Sequence, residues 1–236
     1  MTENKPLVSV IIPVFNCARY IAEAIESVLA QTYRPIEIIV IDDGSTDGSE
    51  QMAKRFSPRV QYFYQPHGGA GSARNSGTGF AQGDYFAFLD ADDIWLENKL
   101  TLQMAVFQSD PEADMVFGNV EQFISPELTE KQKNSIDCPA GTLPGYLVGA
   151  MVIKKESFLR AGAFETTLKI GEFIQWYIRA AEQRMKSVML PEGVLKRRLH
   201  TDNMTGRDCN ARTDYVRILK ASLDRKRASG LIKDDH

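Results

Sequence analysis

The sequence predicts an α/β fold built on a mostly parallel central sheet with helices on both faces. Two observations carry that reading. Short β-branched runs alternate with helical patterns through the N-terminal half, in the order βαβαβαβ. Three of the four strands then end in polar or acidic residues, at the end of the sheet where ligands bind in such folds. The composition agrees. The 236 residues are 43% hydrophobic and 25% charged, with 17 Gly and 10 Pro, proportions that exclude a disordered, collagen-like or coiled-coil chain. A chain of this length can bury about 70–75% of its unfolded surface, and it reads as one large domain rather than two small ones.

The elements follow in order. Leu7–Ile12 is a short apolar run stopped by Pro13, as in a buried parallel strand. Asn16 is placed to cap the next helix, on which Ile21, Ile25, Val28 and Leu29 share one face. Ile36–Ile41 forms a second buried strand, and Ser45 or Asp47 caps a short helix running through Phe56. Val60–Tyr64 is the third strand, Ala70–Ala81 a helix after a Gly-rich turn, and Asp84–Leu89 the fourth strand. The second half is less regular. A helix from Ile94 to Gln108 leads to a strand at Asp114–Phe117. Glu121–Tyr146 is polar and aperiodic and reads as a loop. Leu147–Ile153 is strand-like, and Gly171–Gln183 is a helix with Phe173, Ile174, Tyr177 and Ile178 on its apolar side. Ser187–Leu190 and Val194–Leu199 flank Pro191-Glu192-Gly193 and suggest a hairpin. Asp214–Ala228 is a helix with Val216, Leu219 and Leu223 at helical spacing.

Charge and cysteine usage narrow the function classes. A formal net charge of −3 gives no support to nucleic-acid binding. Cys17, Cys138 and Cys209 are widely spaced and form no CxxC pair, which suits a reducing compartment and argues against a structural zinc site. Met1–Pro6 has no hydrophobic signal region, and Val8–Phe15 falls well short of the ~20 residues of a membrane helix. The expectation is a soluble, cytoplasmic protein.

Three clusters carry chemistry. Asp90 and Asp92 stand two apart at the end of the fourth strand, so in extended backbone both carboxylates face one side. Hard cations such as Mg²⁺ or Mn²⁺ take such oxygens and share them with substrate phosphates. The plainer alternative is a solvated turn in which Asp93 caps the following helix. Asp42-Asp43-Gly44-Ser45 places carboxylates where they can accept from a base edge or ribose hydroxyls, or simply build a turn. Gly68–Asn75 is Gly-rich but lacks the Lys-Ser/Thr of a Walker loop, and Arg74 stands where a dinucleotide fingerprint needs its third Gly. The planar fork of Arg74 suits a base or a phosphate, or the exposed start of a helix.

Together Val8–Asn16, Asp42–Asp47, Gly68–Asn75 and Phe88–Asp93 resemble, in order and spacing, the family 2 glycosyltransferases with the GT-A fold, over about the first 110 residues. The resemblance implies a Rossmann-like, mostly parallel sheet with a smaller C-terminal acceptor-side region. Residues 1–110 would form the nucleotide-binding half, 111–209 the acceptor and catalytic half, and 210–236 a basic amphipathic helix and tail. It implies that Pro13 and Phe15 line the nucleotide pocket, that Asp43 meets the base, and that Arg74 contacts base or diphosphate. His67 would lie nearby, where many relatives have Asn. Asp90 would touch the ribose with Ala91 beside it in the donor site, and Asp92 would hold a Mn²⁺ or Mg²⁺ ion bridging the donor phosphates. Gly162–Glu165 and Gly171-Glu172 resemble the segment before the family's catalytic acidic pair. The usual Glu-Asp reads Glu172-Phe173 here, so Glu172 becomes the candidate base, with Glu165 and Asp202 in reserve. Arg197-Arg198-Leu199-His200 resembles a later feature that closes over the diphosphate, with Arg198 on phosphate and His200 on metal or phosphate; a solvated basic strand edge is the alternative.

The function implied is inverting transfer of a sugar from a nucleotide-diphosphate donor, with UDP the family's usual nucleotide. The acceptor is open among glycan, lipid-linked, peptide and small-molecule classes. A nucleotidyltransferase would place a basic Gly-rich loop after the first strand, where Pro13-Val14-Phe15-Asn16 stands. A non-catalytic nucleotide-sugar or partner-binding module is the other rival, prompted by Phe173. Trp95 and Trp176 read as core or acceptor-platform residues. The basic C-terminal helix, with Arg217, Lys220, Arg225, Lys226 and Arg227, can rest on an anionic membrane or pack on the domain.

Overall fold

The computed structural model describes residues 5–168 and 170–201, together with 214, 216, 218, 220–223 and 225. In the first half, β1 (Val8–Val14), β2 (Ile36–Asp42), β3 (Gln61–Tyr64) and β4 (Tyr85–Phe88) alternate with α1 (Ile21–Leu29), α2 (Ser49–Lys54) and α3 (Ala70–Phe80). They form a parallel run in the order β3-β2-β1-β4. The sheet continues through β8 (Val152–Lys154), β6 (Met115–Ile124), β9 (Ser187–Leu199) and β5 (Ile94–Trp95), and β7 (Thr142–Pro144) pairs with β6. β8 runs antiparallel to both β4 and β6, so β6 and the β9 strand parallel to it point the same way as β4.

Side-chain alternation along these strands divides the core in two. Val8, Val10, Ile12 and Val14 of β1 pack with Ile38 and Val40 of β2 and with Ile21, Ala24, Ile25 and Val28 of α1; α4 (Lys99–Ser109) adds Leu100, Met104 and Phe107 to this face. On the opposite face Ile11, Ile39, Ile41, Phe86, Phe88 and Phe117 pack against Ala73 of α3, α6 (Lys155–Ala161) and α7 (Glu172–Glu182). Gly77 allows α3 to lie close to the sheet, because a Cβ there would sit 2.4 Å from Ile11 Cγ2.

Several local expectations are corrected. Asn16 adopts φ 50° and its Oδ1 accepts from the Thr46 amide, so it ties two loops together; α1 is preceded by Tyr20 and has no side-chain cap. α2 begins at Ser49 after Gly48, and Asp47 instead accepts from the amides of Ala18 and Ser49. Ile94 starts β5 rather than a helix, because its segment pairs with β9 and leaves α4 to begin at Lys99. The segment expected as a loop holds the end of β6, a one-turn helix α5 (Glu130–Lys133) with a Thr129 capping box, and β7. Between Leu147 and Ile153 a 3₁₀ turn (Val148–Ala150) precedes β8.

The expected hairpin is one strand. β9 runs parallel to β6 from Met115↔Ser187 to Ile124↔Leu199, and a register shift absorbs Pro191-Glu192-Gly193 as a bulge. Of the C-terminal helix, Asp214, Ile218 and Ser222 are buried while Val216 and Leu223 are exposed, so the inward face is not the Val216–Leu223 stripe. Ser222 and Arg225 bond Glu182 of α7. Asp202, Cys209, Arg217, Leu219, Lys226 and Arg227 lie outside the described residues.

Candidate active site

The carboxyl ends of β1, β2 and β4 bring the expected residues together. Arg74, in the second turn of α3, is 4% exposed. Its Nη1 donates to Glu172 Oε1 at 2.5 Å and its Nη2 to Asp90 Oδ1 at 2.6 Å, while its Nε has no partner within the described residues. Burial disfavours the cation, but the charges of Asp90 and Glu172 outweigh that and push its pKa up further. The approach of α3 to α7 depends on Gly71: a Cβ there would stand 2.8 Å from the Glu165 carbonyl and 3.5 Å from Glu172 Cγ.

Glu172 opens α7 after Gly171, whose φ of 82° suits glycine. Phe173, which occupies the second position of the acidic pair, turns into the core against Phe117 and Trp176, at centroid distances of 6.3 and 6.2 Å. Glu165 closes its own turn by accepting from Thr167, and those bonds hold its pKa below the ordinary value. Trp95 and Trp176 are core residues whose indole N–H groups donate to the carbonyls of Gly149 and Gly162.

On the β2 side, Asp43 is 2% exposed. It accepts from the Gly68 and Gly69 amides at 2.9 and 2.8 Å and from Gln65 Nε2 at 2.6 Å, and His67 Nδ1 lies 2.8 Å from its Oδ2. Here the carboxylate organises the Gly-rich loop. His67 stacks on the exposed ring of Phe15, with centroids 4.1 Å apart, and the pair presents a flat aromatic surface beside Pro13 at the end of β1.

Asp92 and His200 meet at 2.9 Å between Oδ2 and Nε2. Arg198 supports them rather than facing solvent. It donates through Nε to the Asp92 carbonyl and through its backbone N–H to Asp93, both at 2.9 Å, and it bonds Glu23 of α1. Its guanidinium lies between the rings of Tyr20 and Phe123, at 4.9 and 4.7 Å. Burial, then the charges of Asp92 and Asp90, hold the Asp93 carboxyl well above the usual range. Burial and the Asp92 charge push the Cys17 thiol up to about 12.

The supporting residues Tyr20, Glu23, Ser125 and Glu127 had no signal in the sequence, since Tyr20 and Glu127 meet across 107 positions. Burial raises the Glu127 pKa, but the hydroxyls of Ser125 and Tyr20 overcome this and bring it to about 2. Gln65 was closer to legible, standing directly after β3.

Among the described residues no group of three or more His, Cys, Asp or Glu is arranged to hold a metal ion. The donors Asp92 and His200 still fit a cation that takes its remaining oxygens from phosphates and water, as Mg²⁺ and Mn²⁺ do. None of the described helices is long and apolar enough to cross a membrane.

Residues 9–168 match the family described as Glycosyl transferase family 2. An uncharacterized glycosyltransferase of Rickettsia typhi is 34% identical over 231 residues, covering 92% of this chain and 72% of the relative. A glycosyltransferase of Streptococcus pneumoniae, GlyG, is 43% identical over 118 residues, covering 48% of this chain and 38% of the relative. The chain spans less than half the length of several other curated relatives. In fold it is similar to S. aureus TarS 1–349 solved with UDP-GlcNAc, with TM-score 0.69 and 18% identity over 85% of this chain and 61% of that one. The UDP complex of the same protein gives TM-score 0.65, with 19% identity over 81% of this chain and 60% of that one. The chain belongs to glycosyl transferase family 2 and has a GT-A-like fold.

Proposed function

We propose that this chain transfers a sugar from a UDP-sugar to an acceptor hydroxyl with inversion, assisted by a divalent cation. The observation that carries the reading is the Arg74 bridge, which sets a carboxylate from the acceptor side, Glu172, beside one from the donor side, Asp90. TarS, similar in fold, was solved with UDP and with UDP-GlcNAc, which supports a uridine donor. Phe15 and His67 offer a stacking surface for the base, Pro13 and Asp43 shape its loop, and Asp90 with Ala91 borders the ribose.

Glu172 takes the acceptor proton as the hydroxyl attacks the anomeric carbon from the face opposite the leaving UDP. A base in that role must be ionised beforehand, and Arg74 Nη1 donates to one of its two carboxylate oxygens, Oε1, which leaves Oε2 for the acceptor. Asp92 and His200 would hold a Mg²⁺ or Mn²⁺ ion, which supplies stabilisation of charge on the departing diphosphate. Arg198 acts from behind by fixing the Asp92 backbone. For the C-terminal helix, packing on the domain is the reading that an observation favours, since Ser222 and Arg225 bond Glu182 of α7.

Glu172→Gln tests the assignment. UDP affinity should stay within about threefold while transfer falls about 10²–10⁴-fold, the range for losing a general base. Unchanged transfer would move the role to another acid.

A further inference from the structure

Beside Glu172, the first turns of α7 carry an aromatic cluster that the proposed chemistry does not use. Phe173 and Tyr177 both contact Phe117 of β6, at centroid distances of 6.3 and 5.7 Å. Tyr146, just past β7, lies 5.3 Å from Phe117 and 5.7 Å from Tyr177. Register places the group at the site end of the sheet. Val116 is aligned through Val152 with Ala87, so Phe117 is one step further along, towards the level at which β4 runs out into Asp90.

Tyr146 is 49% exposed although two aromatic rings back it. Its backbone is fixed as well. A Cβ on Gly145 would stand 2.5 Å from the Gly118 carbonyl, so this stretch is pressed against β6. A large ring backed by two others and half exposed, at the site end of the sheet, offers a flat apolar face to a ligand.

Resting on the transferase reading, we infer that Tyr146, backed by Phe117 and Tyr177, is an acceptor subsite that stacks a pyranose ring, so the acceptor is a saccharide. A sugar presents an apolar C–H face bordered by hydroxyls, and a Tyr offers the matching combination of flat apolar ring and polar tip. An acyl chain needs an open apolar channel instead. The space behind the platform is filled by Phe173 and Trp176, both buried.

The test uses the full chain with Mg²⁺, UDP and a panel of methyl α- and β-pyranosides of the gluco, galacto, manno and N-acetylgluco series. Binding is read by saturation-transfer NMR for the sugars and by calorimetry for UDP. Wild type should bind at least one pyranoside. Tyr146→Phe should bind it within about threefold, whereas Tyr146→Ala and Tyr146→Leu should weaken it at least tenfold, with UDP affinity unchanged in all three. The Leu variant separates ring stacking from general apolar contact, because it keeps bulk and loses the flat face. Wild type that binds UDP but no pyranoside overturns the subsite, as does full sugar binding by Tyr146→Leu. Sugar binding with the expected variant pattern but no UDP binding upholds the subsite and overturns the transferase reading.

Discussion

Arg74 pairs with two carboxylates through one buried guanidinium, so its removal strips the buried Glu172 of its partner. Arg74→Met should cost about 3–5 kcal/mol, the range for breaking a buried pair by deleting one partner, measured by urea denaturation. Arg74→Lys should recover only part of that, because an ammonium cannot reproduce the two-armed fork. A buried lysine lies away from the site. Lys99 is fully buried, donates to Gln103 Oε1 at 2.5 Å, and sits over the Trp95 ring at 4.6 Å. Burial pushes its pKa well down. The unfolded chain therefore binds the proton more readily, and this residue's contribution to stability improves as pH rises towards the ordinary lysine range. Lys99→Met should flatten the dependence of stability on pH over that alkaline interval; an unchanged slope in urea titrations would contradict this.

At the scale of elements, α3 is where fold and site meet. Its glycines allow it to lie against β1 at Gly77 and against the Glu165–Glu172 segment at Gly71. Gly77→Ala should destabilise by about 1–3 kcal/mol through overpacking on Ile11, with UDP affinity nearly unchanged in the folded fraction. Gly71→Ala meets backbone rather than a side chain. It should shift Arg74 relative to Glu172 and reduce transfer more than stability, as read by comparing turnover with the urea midpoint. The N-terminal strands and helices were legible because each carries its own period, two for strands and 3.6 for helices. β5 was not, since Ile94-Trp95 is a strand only by virtue of β9. The bulged β9 was misread for a related reason. Pro191-Glu192-Gly193 is a turn signal locally, and pairing to β6 keeps it extended.

Across the whole molecule, the site joins residues that lie close in sequence to others that do not. Asp90 and Asp92 could be singled out because they share one short segment, and Asp43 and Arg74 because each stands at a strand end or loop. Glu172 required the resemblance, and the Tyr20–Glu127 and Glu23–Arg198 contacts exist only after the segment beyond β6 and the end of β9 close on the start of α1. The same closure sets Asp92 against His200, the pair assigned to the cation. Under the proposed function, this end of the sheet holds a nucleoside diphosphate through a divalent ion at Asp92. Calorimetric titration of UDP into the full chain, with and without Mn²⁺ and beside Asp92→Asn, tests it most directly. UDP binding should tighten at least tenfold with Mn²⁺ in the wild type and lose that dependence in the variant. UDP binding indifferent to Mn²⁺, or equally metal-dependent in Asp92→Asn, would contradict it.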